Sequence, residues 1–275
     1  MLAPLATPDG LALLVATAVP LILCGLGIAM ACRANVWNLG AEGQLAFGAA
    51  AAGLVADLAG PTAGAWTMPA MLLAAAAAGL AWAAIPAVLR TRWSAPEGLV
   101  SLLLSYAAVQ LLGDQRDTAG ARAEPQGEAG FVLAMATALL AWWLLARTLT
   151  GFRLRVVGLA PRAAAYAGFS TDAVVWLCLL GSGGLAGLAG AIAAGTILAP
   201  GIGQTALVAA FLGRLHPAGV VAASLLLADL SLGAARLGIG GGATLAETGV
   251  IPGLLLICLL ACNRRTQTGR VANDR

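Results

Sequence analysis

Residues 10–32, GLALLVATAVPLILCGLGIAMAC, hold no charged side chain. A run of about 20 apolar residues is the length that carries a helix through the hydrocarbon core of a bilayer. A helix can do this because it satisfies its own backbone hydrogen bonds. Runs of this kind recur along the chain, at 9–32, 42–59, 67–89, 97–113, 129–149, 172–198, a short piece at 203–213, then 217–235 and 247–263. By the length criterion they make about nine crossings, one of them short or broken. Only 10% of the residues are charged and 60% are hydrophobic, against roughly a quarter charged in a soluble domain. Such a chain cannot cover itself for water, and the period-two alternation of a membrane barrel is absent. The expected fold is an all-α polytopic membrane protein, with residues 1–275 forming a single transmembrane domain.

All 15 basic residues are Arg, and they fall between the apolar runs. With the C-terminus cytoplasmic, twelve lie inside (Arg33, Arg90, Arg92, Arg147, Arg153, Arg155, Arg162, Arg214, Arg264, Arg265, Arg270 and Arg275) and three outside (Arg116, Arg122 and Arg236). Such an excess marks the cytoplasmic side. It requires 203–213 to deliver the chain to the inside at Arg214, and it puts the N-terminus outside. Dispersed in this way, the arginines set topology and do not form a nucleic-acid patch. MLAPLATPDG lacks a basic leader region, so no cleavable signal peptide is expected.

Two polar segments stand out. Residues 114–128 form an outer loop carrying Asp114, Asp117, Glu124 and Glu128. Residues 150–171 form the largest inner loop. Within that loop Pro161 suits a first helical position, so 161–168 can make two turns before Gly168 ends them. A short helix at the cytoplasmic surface is a docking element by its shape.

An internal repeat also emerges. EGQLAFGAAAAGL at 42–54 lies over IGQTALVAAFLGR at 202–214 with an offset of 160, and pairs Gly43 with Gly203, Gln44 with Gln204 and Gly53 with Gly213. The first copy enters from inside and the second from outside. That is an inverted repeat, approximately 33–113 and 172–263, a plan that places the substrate path at the repeat interface.

Glu42, at a helix mouth, has three readings: a cap, a partner for Arg33, or a group that handles the solute. Asp229 lies inside a span, where an ionisable group is either functional or paired, here with Arg236. Gly183, Gly187, Ala191 and Gly195 form a small-residue stripe suited to close helix packing. The GSGG at 181–184 is a possible break in its helix, and Pro200-Gly201 argues for another. His216 precedes Pro217 in a loop and reads as structural. Cys24, Cys32, Cys178, Cys258 and Cys262 have no metal spacing and read as small core residues. No catalytic set, phosphate loop, metal cluster or haem-ligand pair is present, so no catalytic residue, metal or cofactor is expected. The two Gly-Gln copies place the candidate pathway between 42–54 and 202–214, where Gln44, Gln204, Thr205 and also Ser101 offer uncharged hydrogen-bonding groups; with Glu42 and Gly203 these are the candidate pathway residues. An ion-coupled carrier would need paired ionisable groups in mid-membrane, and only Asp229 and Glu42 offer themselves.

RANVWNLGAEGQLAFGA at 33–49 resembles the signature of the permease subunits of ABC importers for nucleosides and simple sugars, a group that includes the branched-chain amino-acid permeases. The resemblance continues through APEGLVSLLLSYAA at 95–108, RLRVVGLAPRAAAYAGFST at 153–171 and VAAFLGRLHPAGVV at 208–221, in the family's order. WNLGAEGQ points to the nucleoside branch, whereas Pro96-Glu97 departs from the family's usual Asn-Glu. The resemblance implies a permease of the bacterial inner membrane that works as a pair. Cytoplasmic ATPase subunits would hydrolyse ATP below it, and a periplasmic or lipid-anchored binding protein would deliver solute above. It also implies that Pro161, Arg162, Ala163, Ala164, Ala165, Tyr166, Ala167 and Gly168 form the coupling helix that seats in the ATPase. Family members usually carry one more N-terminal span, so this chain is expected to start after it.

Overall fold

A computed structural model describes residues 8–60, 66–112, 127–193 and 201–236, together with Gly64 and Gly253. The outer loop expected at 114–128 and the span expected at 247–263 lie outside the described residues, apart from the start of one helix and Gly253. Among the described residues the regular structure is all helical: α1 Pro8–Arg33, α2 Ala41–Ala59, α3 Thr67–Trp93, α4 Glu97–Leu111, α5 Gly127–Arg147, α6 Leu149–Leu159, α7 Pro161–Tyr166, α8 Thr171–Ala193, α9 Ile202–Leu212 and α10 Pro217–Arg236. Five of these, α1, α3, α5, α8 and α10, are long and apolar enough to cross a membrane. Helices α4 and α9 are apolar but shorter.

The long helices pack as the small residues dictate. Helix α1 is the central post, with Ile22, Leu23 and Leu26 fully buried, and α5, α8, α9 and α10 pack around it. Helices α2, α3 and α8 make a second group. There the expected stripe on α8 is used as the sequence implies: a side chain at Gly187 would strike the backbone of Ala75 on α3, and one at Gly48 on α2 would strike Gly187. Backbones at this separation gain dispersion contact along their whole length, which drives association where lipid removes the hydrophobic term. Gly195 lies outside the described residues. The expected break at 181–184 does not occur, since α8 runs unbroken from Thr171 to Ala193. The helix holds because close packing on α2 and α3 compensates the low helical propensity of its glycines.

Residues 150–171, expected as a loop with one short helix, hold two. Helix α6 starts at Thr148, whose hydroxyl accepts from the Gly151 amide. It buries Gly151, Leu154 and Val157 and leaves Arg153 and Arg155 exposed. This three-residue apolar spacing within a charged segment is an amphipathic helix lying across the ends of its neighbours. Helix α7 follows with Pro161 in its first turn and ends before Gly168, at φ 81°. Only Ala164 of α7 is buried, while Tyr166 is 94% exposed. Leu154, Val157 and Ala164 join Ala31 and Ala34 of the α1 end and Val174, Val175 and Cys178 of α8 in one apolar cluster. The short helix is thus held firmly on one side and bare on the other.

At the same end α9 turns into α10 through Arg214 and Leu215, both in the left-handed region at φ 55° and 57°. The Arg33 side chain donates from Nε to the Leu215 carbonyl at 2.8 Å and ties this turn to the end of α1. His216 is exposed beside it and uses its backbone to close the turn, as a structural residue would.

Candidate functional site

After Arg33 the chain does not begin a new helix at once. Residues 36–40 carry no regular structure, and α2 starts only at Ala41. This segment runs beside α9. Trp37 stacks on Phe211 near one end of α9, with ring centroids 5.8 Å apart, and Glu42 reaches the other end of α9 at Gly201 and Gly203. Eleven helical residues rise about 16 Å, so the segment runs alongside most of the length of α9. Asn38 bonds Ser182, near the middle of α8.

Irregular backbone among apolar helices must find hydrogen-bond partners in protein or in a wet cavity. One face of α4 supplies them. Glu97, Ser101 and Ser105 recur every fourth residue and are all buried. Glu97 Oε1 accepts from the Trp37 amide at 3.5 Å, Ser101 Oγ from the Leu39 amide at 3.1 Å, and Ser105 Oγ from the Gly43 amide at 2.9 Å. Arg90 Nε pairs with Glu97 Oε2 at 3.2 Å and anchors the foot of this ladder. The Gly40 amide is taken by Asn38 Oδ1 at 3.0 Å. Asn38 then completes its valence. Its Nδ2 donates to Gln44 Oε1 and Ser182 Oγ, both at 2.9 Å, and its Oδ1 accepts from Gln44 Nε2 at 3.2 Å. Two donors and two lone pairs are all an Asn side chain has.

Glu42 is a cap, but for a helix in the other half of the chain. Gly201 is the N-cap of α9 at φ 95° and has no side chain to offer the first-turn amides. The Glu42 carboxylate fills that role: Oε1 accepts from the Gly201 amide at 3.0 Å and Oε2 from the Gly203 amide at 2.6 Å. The cap expected of Glu42 is found on α9, and the expected pairing with Arg33 is corrected, since the Arg33 Nε donates to the turn after α9. The physical reason is electrostatic. The first turn of α9 has a positive dipole end and amides that its glycine N-cap leaves without a side-chain acceptor, and the Glu42 carboxylate supplies it. Gly203 makes the approach possible, because a Cβ there would strike the Glu42 backbone amide.

Beside this junction lies a cavity of about 340 Å³, lined by Asn38, Leu39, Leu102, Tyr106, Gly203, Gln204, Thr205, Leu207, Val208 and Gly253. A smaller one of about 140 Å³ shares Leu39, Leu102, Tyr106 and Gln204 and adds Glu42, Ser105, Val109 and Gly201. Of the six candidate pathway residues, Gly203, Gln204 and Thr205 line the larger cavity and Glu42 the smaller. Gln44 and Ser101 line neither and are 1% exposed, their polar atoms bonded within the protein. Sequence reasoning missed Asn38, Ser105, Ser182 and Tyr106. The Glu97–Ser101–Ser105 spacing was the available signal for the ladder, since three polar residues on one face of an apolar helix need partners. Asp229 stands apart from both cavities. Its Oδ1 is buried without a hydrogen-bond partner, and the side chain of Arg236 lies outside the described residues.

Apolar helices of spanning length, packed closely through glycines around an irregular segment with a polar lining, are the architecture of a polytopic helical membrane protein. The sequence profile of the family described as branched-chain amino acid transport system / permease component matches residues 10–260, and the chain belongs to that family. It is a permease subunit of an ABC importer in the inner membrane, not an enzyme, and the family works with separate ATPase and solute-binding partners. The glucose ABC transporter permease protein TsgB13 of Haloferax volcanii is 33% identical over 97% of this chain and 80% of its own length. The guanosine ABC transporter permease protein NupP of Bacillus subtilis is 31% identical over 86% of this chain and 77% of its own. A second guanosine permease of that organism, NupQ, is 30% identical over 76% of each chain. No solved structure matches the chain significantly.

Proposed function

We propose that this permease moves a nucleoside through the cavity between the residue 36–42 segment, α4 and α9. The observation that carries this reading is the lining of the larger cavity. Among the described residues it offers an amide (Gln204), a hydroxyl (Thr205), a phenol ring (Tyr106) and leucines, with no ionisable acid or base other than that phenol. Such walls suit an uncharged solute with one flat apolar face and a polar edge. The guanosine permeases among the relatives support the same class. The glucose permease relative supports a second reading, a simple sugar, which would use Gln204 and Thr205 but not the ring face of Tyr106.

The subunit works as one of a pair, as a homodimer or with a second permease chain. It crosses the membrane about nine times by span length, with its N-terminus outside and an inverted repeat of 33–113 and 172–263. The exposed face of α7, from Pro161 through Gly168, seats in the ATPase. Its single buried residue, Ala164, makes it a rigid knob able to transmit force. Uptake of radiolabelled guanosine into proteoliposomes holding the full complex tests the solute, with glucose as competitor. ATP-dependent guanosine accumulation that glucose leaves unchanged is the expected result. Glucose accumulation that guanosine does not inhibit would transfer the assignment to sugars.

A further inference from the structure

Glu42 is more than a helix cap, because of what lies immediately beyond the cap. Its two acceptor bonds end on Gly201 and Gly203. The next residue, Gln204, faces both cavities and has no hydrogen-bond partner among the described residues, and Thr205 faces the larger. The opposite wall is α4, which carries Leu102 and Tyr106. Helix α4 is itself fixed to the α2 entry by the Ser101 and Ser105 bonds. Beyond the packing of α9 on α1, α2 and α10, the two walls are linked by a hydrogen-bonded route, from α4 to the start of α2 and from Glu42 to the start of α9. At its other end α9 is held by the tight turn to α10 and by Arg33. The end that faces the solute has no cap of its own.

We propose that Glu42 is a positioning residue for transport: its carboxylate fixes the free end of α9 so that Gln204 and Thr205 face the cavity at a set distance from Tyr106. This rests on the pathway reading above. A carboxylate suits the role better than an amide. It presents two acceptors to two amides at once, and its charge is stabilised by the helix ends that it joins. Glu42→Gln keeps the shape but turns an NH₂ toward one of those amides. Glu42→Asp keeps the charge and shortens the arm by one methylene.

The test uses the assembled complex, with the five native cysteines replaced by Ser and Gln204→Cys introduced. Labelling by a water-soluble maleimide is followed beside uptake kinetics in the complex that retains Gln204. Glu42→Gln should change the labelling rate at position 204 several-fold. It should lower kcat for uptake about tenfold, the scale of one charge-assisted bond. KM for the loaded binding protein should stay unchanged, since a positioning role acts after that partner has docked. Glu42→Asp should recover part of kcat. A purely structural role would instead lower the yield of complex and leave kcat per assembled complex and the labelling rate unchanged, and that result overturns the proposal. If Glu42→Gln does not assemble, Glu42→Asp is read alone, and unchanged labelling in it overturns the proposal equally. Altered labelling in a complex whose parent carries neither guanosine nor glucose would support the positioning role and sink only the solute assignment.

Discussion

Gln44 and Gln204 occupy the same place in two copies of one short motif, each following a glycine near the start of a helix. Their fates differ. Gln44 is 1% exposed and spends both ends of its amide on Asn38, whereas Gln204 is exposed, faces both cavities and has no partner among the described residues. The difference originates one turn upstream. Gln44 follows an irregular segment that needs a polar scaffold, and Gln204 follows a glycine cap that borrows its acceptor from Glu42. The comparison teaches that one half of the site is bonded into the protein while the other leaves its amide facing the cavities, as the proposed pathway requires.

The comparison breaks most visibly at Gly203. Gly203→Trp should abolish uptake while the subunits still co-purify, and even Gly203→Ala should lower it strongly. The added Cβ meets the Glu42 backbone, and overpacking of this kind costs about 1–3 kcal/mol. Uptake measured beside complex yield separates the two effects. Uptake equal to the parent's in the Trp variant would place the pathway elsewhere. The bonded half comes next. Asn38→Ala strips partners from Gln44, Ser182 and the Gly40 amide, and each buried group left unpaired costs about 1–3 kcal/mol. Thermal unfolding in detergent should show a clear loss, and an unchanged midpoint would deny the network its role. Gln204→Leu should behave oppositely, with stability within about 0.5 kcal/mol of the parent and uptake lowered several-fold. Equal destabilisation by Gln204→Leu and Gln44→Leu would erase the distinction between the halves. The smallest effect is expected at Ser105→Ala. One amide loses its acceptor, for about 1 kcal/mol of stability, with uptake nearly intact. Arg162→Glu lies outside this series but tests the coupling face: it should depress solute-stimulated ATP hydrolysis without moving the unfolding midpoint.

Hydropathy alone placed the long helices. Spans expected at 9–32, 67–89, 129–149 and 217–235 correspond within a few residues to α1, α3, α5 and α10, because a continuous apolar run admits little besides a helix in a bilayer. Helix α6 was missed because Arg153 and Arg155 lower the local hydropathy, although Leu154 and Val157 already carried the helical spacing. Within the site, the legible part was the composition of α9. Gly203, Gln204 and Thr205 were singled out and they line the cavity. Gln44 and Ser101 were chosen for the same polarity, but a sequence window reports only that a polar group exists. It does not report whether a partner 62 residues away has already engaged it, as Leu39 has engaged Ser101. The target of Glu42 was illegible for the same reason, since its acceptor bonds cross 159 and 161 residues.

The ladder on α4 also bears on how the chain can be made. The Trp37 and Leu39 amides have acceptors, Glu97 and Ser101, that are made roughly 60 residues later in synthesis, a span fixed by the pairings themselves. Asn38 waits longer still, for Ser182. Unpaired backbone is not stable against lipid. The start of α2 is therefore expected to settle among the apolar helices only once α4 has been made, so the polar stripe that steadies the site would also tie the folding of α2 to the arrival of α4.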